Sequence, residues 1–331
     1  WSRDPYLTLR SGVGLVGVVV IVVSAASACE PREFARRLLL ALAAILILSV
    51  VFALAFPIYG IQRSDFESSA PRWRGVYALK NHLGMVSAFA FGLFLTIGPS
   101  ILRRANWIVG ILLALVCVLM SRSGSGIVLT VVAGLFYLIV YRFSAWVRYV
   151  CVFLTALVLP ILITFGEDFL VYGTGLLGKD ESFTGRTALW SAGLGLWREH
   201  PYAGQGLAAF SSNYVSDVFA NAALAGGHVA VRDPHNAFLF LGIALGGFGL
   251  AILIGAILAA GGSALLRGSG LKEDPVRVLG LLPLMMWLVA GTVESAPFWP
   301  GTPEFMLGTV SYTHLRAHET VLDLVCRLLL E

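Results

Sequence analysis

Charge is what this 331-residue sequence has least of. Charged side chains make up 13% of it, against about 25% in an ordinary soluble domain. So little charge, with 58% hydrophobic residues and a mean hydropathy of +0.84, excludes a soluble globule and implies a membrane-embedded helical bundle. Cysteine is scarce as well. Cys29, Cys117, Cys151 and Cys326 fall at no metal-ligand spacing, so neither a zinc site nor a disulfide framework is indicated. No glycine-rich nucleotide loop of the GxxxxGK type occurs. A net charge of +4 is spread through the loops and forms no basic stripe, which excludes a nucleic-acid partner. No internal repeat is visible, and no basic start followed by a short apolar core marks a signal peptide. The chain opens on Trp1, and it reads as a fragment that has lost N-terminal spans.

What is present is a series of apolar runs. Eight candidate spans are expected at 11–28, 38–57, 83–98, 105–120, 125–141, 149–165, 236–262 and 278–297. Four short connections, 29–37, 99–104, 142–148 and 263–277, then share one side. Together they carry ten basic and four acidic residues, which makes that side cytoplasmic by the positive-inside rule. The opposite side receives 58–82, 121–124 and the long loop 166–235. It also holds Arg72, Arg74, Lys80, Arg122, Arg186, Arg198 and Arg232, against the insertion bias. Binding an anion at the outer surface is one reason to keep such charge. Pairing with Asp65, Glu67, Asp180, Glu181 or Asp233 is the other.

The long loop is too aromatic to be a linker: Phe183, Trp190, Trp197, Tyr202, Phe210 and Tyr214 lie within it. Thr184 or Thr187 can cap a helix running through Trp197, Pro201 and Gly204 break it, and 211–225 can form a second. The expected result is an external cap of about 70 ordered residues with aromatic faces on the bundle or on substrate. Gly242, Gly246, Gly247 and Gly249 read as a small-residue face for close helix packing. Gly124 and Gly126, beside Ser123 and Ser125, can offer backbone donors to an anion.

Six strings carry a resemblance: WSRDPYLTLR at 1–10, WRGVYALKNHLG at 73–84, SRSG at 121–124, FTGRTALW at 183–190, HPYAGQGLAAF at 200–210 and HNAFLFLGIALGGFGL at 235–250. In this order the sequence resembles the O-antigen ligase and polymerase superfamily over residues 1 to about 300. It is most similar to the exopolysaccharide-polymerizing, ExoQ-like branch. The resemblance implies an all-α, polytopic membrane bundle of the GT-C kind with one large extracytoplasmic loop. It also implies a bacterial inner-membrane location with the active face periplasmic. The implied donor is an undecaprenyl-pyrophosphate-linked oligosaccharide, transferred to an acceptor sugar hydroxyl, with no metal, nucleotide sugar or other cofactor. Membrane lipid, the acceptor glycan and polysaccharide-export or chain-length proteins are the implied partners.

Residue by residue, the resemblance places a site arginine at Arg186, a site histidine at His235 and a basic motif between spans at Arg122. The chemistry fits those types. A guanidinium binds phosphate oxygens through a rigid fork and can neutralise a departing pyrophosphate. A histidine near its free pKa can take the proton of an acceptor hydroxyl. Without the resemblance, His235 reads as an interface anchor or helix cap, and Asn236 either orients His235 or the acceptor sugar or caps the helix. His200, before Pro201, shapes a turn, and His228 follows two glycines. Trp73 can stack on sugar or sit at the interface, Arg74 and Lys80 can hold phosphate, and Asn81 and His82 can bond hydroxyls; a plain interface turn is the alternative. Glu294, near the end of the last span, is a partner for a site arginine or a substitute base.

Polymerase and ligase share these motifs and differ in acceptor. A flippase for lipid-linked glycans would also use basic residues, but with ionisable groups on both faces and paired broken helices. A non-catalytic assembly partner would not need His235 or Arg186. The tail 301–331 stands apart, since SYTHLRAHETVLDLVCRLLLE resembles the translated adapter tail seen on some metagenomic reading frames; the alternative is a short amphipathic end.

Overall fold

The computed structural model describes residues 2, 4–27, 30–62, 71–143, 184–225, 231, 233–266, 275–295, 302, 305 and 309. The expected span 149–165, the start of the loop through 183, His228, Arg232 and the tail from 310 lie outside the described residues. Among the described residues the chain is all α apart from one short antiparallel pair. The helices are α1 (Pro5–Ser27), α2 (Pro31–Ala55), α3 (Pro57–Gly60), α4 (Lys80–Thr96), α5 (Gly98–Ile101), α6 (Arg104–Ser121), α7 (Gly124–Arg142), α8 (Thr184–Glu199), α9 (Asn213–Ala225), α10 (Ala237–Leu266) and α11 (Pro275–Val293). The pair joins β1 (Ile61–Gln62) to β2 (Arg72–Trp73).

Among the described residues four helices are long and apolar enough to cross a membrane: α2, α6, α7 and α10 over Ala237–Ala256. Shorter apolar segments run over Pro5–Ile21 and Val278–Val293. Leu112, Val116 and Leu119 of α6 and Val131, Leu135 and Leu138 of α7 are exposed large apolar side chains, which only a lipid solvent accommodates. The protein is therefore a multi-pass helical membrane bundle.

The described residues divide into two compact units. One draws on 23–153, 263–286 and 307–331, the other on 1–22, 154–262 and 287–306. In the first, α4 is the centre. Residues 83–90 are all buried, and a helix apolar on every side belongs inside its bundle. It packs on α6 and α7 through small residues. A Cβ on Gly126 would come 2.9 Å from the Gly84 Cα, and one on Gly92 would come 2.9 Å from the Ala133 methyl.

In the second unit, α1 is capped by Asp4, whose Oδ1 accepts from Leu7 N–H at 2.9 Å. Thr8 then ties α1 to the long loop, its Oγ1 accepting from Ala208 N–H at 3.3 Å. The expected loop helices are present as α8 and α9.

The run expected as one span at 236–262 is two legs. At Gly246 the backbone turns to φ 68 and ψ −170, a region essentially reserved for glycine. The break opens two ladder positions, and loop 201–206 fills all four groups. Gln205 N–H donates to the Ile243 carbonyl (2.7 Å) and Gly206 N–H to the Ala244 carbonyl (2.9 Å). In return, Gly247 N–H donates to the Pro201 carbonyl (2.8 Å) and Phe248 N–H to the Tyr202 carbonyl (3.1 Å). The approach is so close that a Cβ on Gly246 would collide with the Tyr202 carbonyl, and one on Gly204 would lie 2.5 Å from the Ala244 carbonyl.

This corrects the reading of the glycine run as a helix-packing face. Gly242 does receive a neighbour, the Trp197 ring, 2.8 Å from where its Cβ would be. Gly246 and Gly247, by contrast, serve a backbone exchange. The two legs also differ in burial. In 237–245, Ala237, Phe240, Leu241, Ile243 and Ala244 are buried, with Phe240 stacked on Phe210 at 4.2 Å. Beyond the break, Phe248, Ile252 and Ile254 are exposed.

Candidate active site

His235 closes the long loop in a left-handed conformation, φ 46, that a non-glycine residue holds only when its surroundings fix it. Four bonds do so. Asp233 Oδ1 accepts from His235 N–H at 2.8 Å, an Asx turn across Pro234. The same oxygen accepts from the Ser295 hydroxyl at 2.9 Å, and Ser295 Oγ accepts from Asn236 N–H at 3.2 Å. Trp190 Nε1–H donates to the Pro234 carbonyl at 3.0 Å, pinning the turn to α8.

Asn236 resolves to a cap. Its Oδ1 accepts from Phe238 N–H (3.0 Å) and Leu239 N–H (3.1 Å), starting α10, and its Nδ2 donates to the Thr292 carbonyl (3.4 Å). The side chain is buried. Both ends of the amide are committed to the fold, as the capping reading expects.

The ring of His235 meets Glu294, which immediately follows α11 and is 6% exposed. Nδ1 lies 3.3 Å from Glu294 Oε2 and 3.8 Å from Asp233 Oδ1. A carboxylate only accepts, so Nδ1 carries the proton and Nε2 keeps its lone pair. Among the described residues Nε2 has no hydrogen-bond partner. Burial of the ring works to lower its pKa, but the hydrogen bond to Glu294 and the charges of Asp233 and Glu294 outweigh it. The net result is a pKa raised above the ordinary histidine value. Arg186 opposes the rise, so its positive charge is felt at the ring. Arg186 itself is half-buried in the first turn of α8. Structure thus assembles a histidine–carboxylate pair within the field of a guanidinium, from three segments far apart in sequence.

The other expected site residues gather in the other unit. Arg122 is the left-handed cap of α6, φ 50, with its side chain exposed. Lys80 Nζ donates to the Arg122 carbonyl at 3.3 Å. Ser123 Oγ donates to Asn81 Oδ1 (3.3 Å) and accepts from Gly126 N–H (3.2 Å), capping α7. Of the backbone donors at Gly124 and Gly126 expected to face an anion, that of Gly126 is thus spent on the cap. Arg74 Nε donates to the Tyr59 carbonyl (2.6 Å) and Nη1 to the Ala78 carbonyl (3.4 Å), which fastens the hairpin. Trp73 is corrected outright. At 9% exposure in the hairpin it packs inward and presents no face for stacking a sugar. His200 is exposed at the end of α8, its carbonyl accepting from Gly204 N–H at 3.1 Å, as a turn residue should.

Residues 109–254 match the family model described as "O-Antigen ligase". The "Exopolysaccharide production protein ExoQ" of Rhizobium meliloti (strain 1021) is 27% identical over 294 residues, covering 83% of this chain and 64% of that protein.

Over residues 109–254 the chain is thus similar to the O-antigen ligase family.

The superfamily match spans Arg122, Arg186 and His235 and stops short of Glu294. That carboxylate is therefore assigned to the site by geometry. Sequence reasoning missed Asp233, Ser295 and Trp190. Asp233 had a local signal, an acceptor two residues before a histidine across a proline, of the kind that forms an Asx turn. Ser295 and Trp190 had none, since each acts across more than forty residues.

Proposed function

We propose that the protein is an inner-membrane glycosyltransferase of the GT-C kind, working at the periplasmic face. It moves a glycan from an undecaprenyl-pyrophosphate-linked donor to an acceptor sugar hydroxyl, in exopolysaccharide or O-antigen polymerization. The observation that carries this reading is the His235–Glu294 pair beside Arg186, at the end of a loop that the basic excess of 29–37, 99–104, 142–148 and 263–277 assigns to the extracytoplasmic side.

The chemistry balances with these groups. His235 Nε2 takes the proton of the acceptor hydroxyl as its oxygen bonds the donor's anomeric carbon. The bond from that carbon to the pyrophosphate oxygen breaks, and its electron pair leaves with the lipid pyrophosphate. Glu294 stabilises the imidazolium that forms, and Arg186 neutralises charge growing on the leaving group. Arg122, Arg74, Lys80 and Asn81 are candidates in their own unit for binding phosphate or sugar, with Arg122 the one whose side chain is exposed.

The test is reconstitution of the full-length protein with an undecaprenyl-pyrophosphate oligosaccharide, without nucleotide sugar or divalent metal. Longer lipid-linked glycans identify a polymerase, and glycan on a separate lipid acceptor identifies a ligase. His235→Ala should bind donor and transfer it at least about a hundredfold more slowly, as loss of a general base predicts. An unchanged rate removes histidine as the base. A flippase draws on one observation, the broken α10, because discontinuous helices build transporter sites. Donor translocation by wild type with no transfer to any acceptor would establish that class instead.

A further inference from the structure

The break in α10 leaves an exposed aromatic pair that the reaction does not use. Tyr202, on the loop, and Phe248, just past Gly246, are 69% and 65% exposed, with ring centroids 6.0 Å apart. The backbone exchange between 201–206 and 243–248 fixes them side by side. On the loop side, Arg198 and His200 are exposed. On the far side, Ile252 and Ile254 are exposed and no charge occurs through 266.

We infer that Tyr202 and Phe248 lie in the headgroup layer of a phospholipid bilayer, so that the break at Gly246 marks the membrane surface and only the second leg of α10 spans it. Three observations meet here. First, the leg 247–266 has 20 residues, about 30 Å at 1.5 Å per residue, enough to cross the hydrocarbon unaided. Second, the leg 237–245 is buried by protein, with Phe210 on Phe240 and Trp197 on Gly242, whereas exposure to a lipid solvent begins at Phe248. Third, 201–206 is irregular backbone, which is tolerated at membrane depth only where protein covers it. Tyr202 is exposed, so that strand of the exchange does not run through lipid. Aromatic rings with cations on their aqueous side are the usual composition of a membrane–water boundary. The patch is continuous with the lipid-facing strip of the spanning leg, which singles out the bilayer as its occupant.

The consequence is positional. His235 stands one nine-residue leg away from the surface, roughly 14 Å along the helix axis, on the side of the loop. Its surroundings are then water and protein, not hydrocarbon.

Single cysteines at Leu194, His200, Tyr202, Phe248, Ile252 and Gly255, in the full chain with its native cysteines replaced, would carry nitroxide labels. Reconstituted in phosphatidylcholine–phosphatidylglycerol vesicles, each label is scored for collision with oxygen, which enriches in lipid, and with a water-soluble nickel chelate. Leu194 and His200 should favour nickel, and Tyr202 and Phe248 should be intermediate. Ile252 and Gly255 should favour oxygen progressively, lying about 6 and 10 Å deeper than Phe248 by helical rise. If labelling Phe248 disturbs the break, exposed Ala251 replaces it in the series. Oxygen dominance at Leu194 and His200 equal to that at Ile252 would put the break inside the hydrocarbon and overturn the inference. Shielding of Tyr202 and Phe248 from both reagents would show a protein contact there and overturn it equally. The readout is independent of transfer activity, so it stands or falls apart from the catalytic proposal.

Discussion

Replacing Glu294 with Gln removes a negative charge 3.3 Å from His235 Nδ1 and keeps the side chain's size. The raised pKa of His235 comes from its carboxylate neighbours, against its own burial. Take away one of them and the pKa must fall. The acid limb of the kcat profile should therefore move down. The sign follows from the mechanism. The base works only when unprotonated, so activity is lost as pH falls through the His235 pKa, and a lower pKa extends activity to lower pH. The plateau moves the other way. A less basic imidazole takes the proton less readily, and a glutamine can turn its amide to Nδ1 and impose the wrong tautomer. A fall in plateau kcat of about ten- to a hundredfold is expected, within the range a general base contributes. The assay is initial-rate transfer from the lipid-linked donor between pH 5 and 9 in proteoliposomes. An acid limb that stays in place or moves up would refute the coupling of Glu294 to His235. An unaltered plateau with a shifted limb would refute its role in holding the tautomer.

The remaining expectations can be measured in the same system. Arg186→Gln should move the acid limb up, because this guanidinium opposes protonation of His235, while Arg186→Lys should leave the limb in place and still lose roughly tenfold or more in kcat/KM by losing the bidentate fork. Asp233→Asn keeps an oxygen to accept from His235 N–H and Ser295 but lacks the charge, so it should fold normally in size-exclusion chromatography and shift the acid limb down. Gly246→Ala should destabilise the protein by at least about 3 kcal/mol, since it combines a glycine-only conformation with a collision at the Tyr202 carbonyl. A thermal-unfolding midpoint within a degree of wild type in detergent would contradict that account.

Composition and hydropathy are sums over local residues, and they sufficed for the class. The chain's low charge and long apolar runs dictate a helical membrane bundle, because only lipid can solvate faces such as Leu112, Val116 and Leu119 of α6. Within the long loop, α8 and α9 are the helices its caps and breakers imply. Motif strings located Arg186 and His235 at the two edges of that loop. Sequence could not say what each side chain faces. Trp73 reads equally well as an exposed stacking platform or a packed ring, and only the hairpin register decides that it turns inward. The glycines around Gly246 have the composition of a helix-packing face. Their real task appears once loop 201–206 is seen to take over two opened positions of the helical ladder. Glu294 is 59 residues from His235, and no periodicity links them. Their meeting, and with it the elevated basicity of the ring, is a product of the tertiary fold alone. Electrostatic coupling depends on distance through space, and sequence records only distance along the chain.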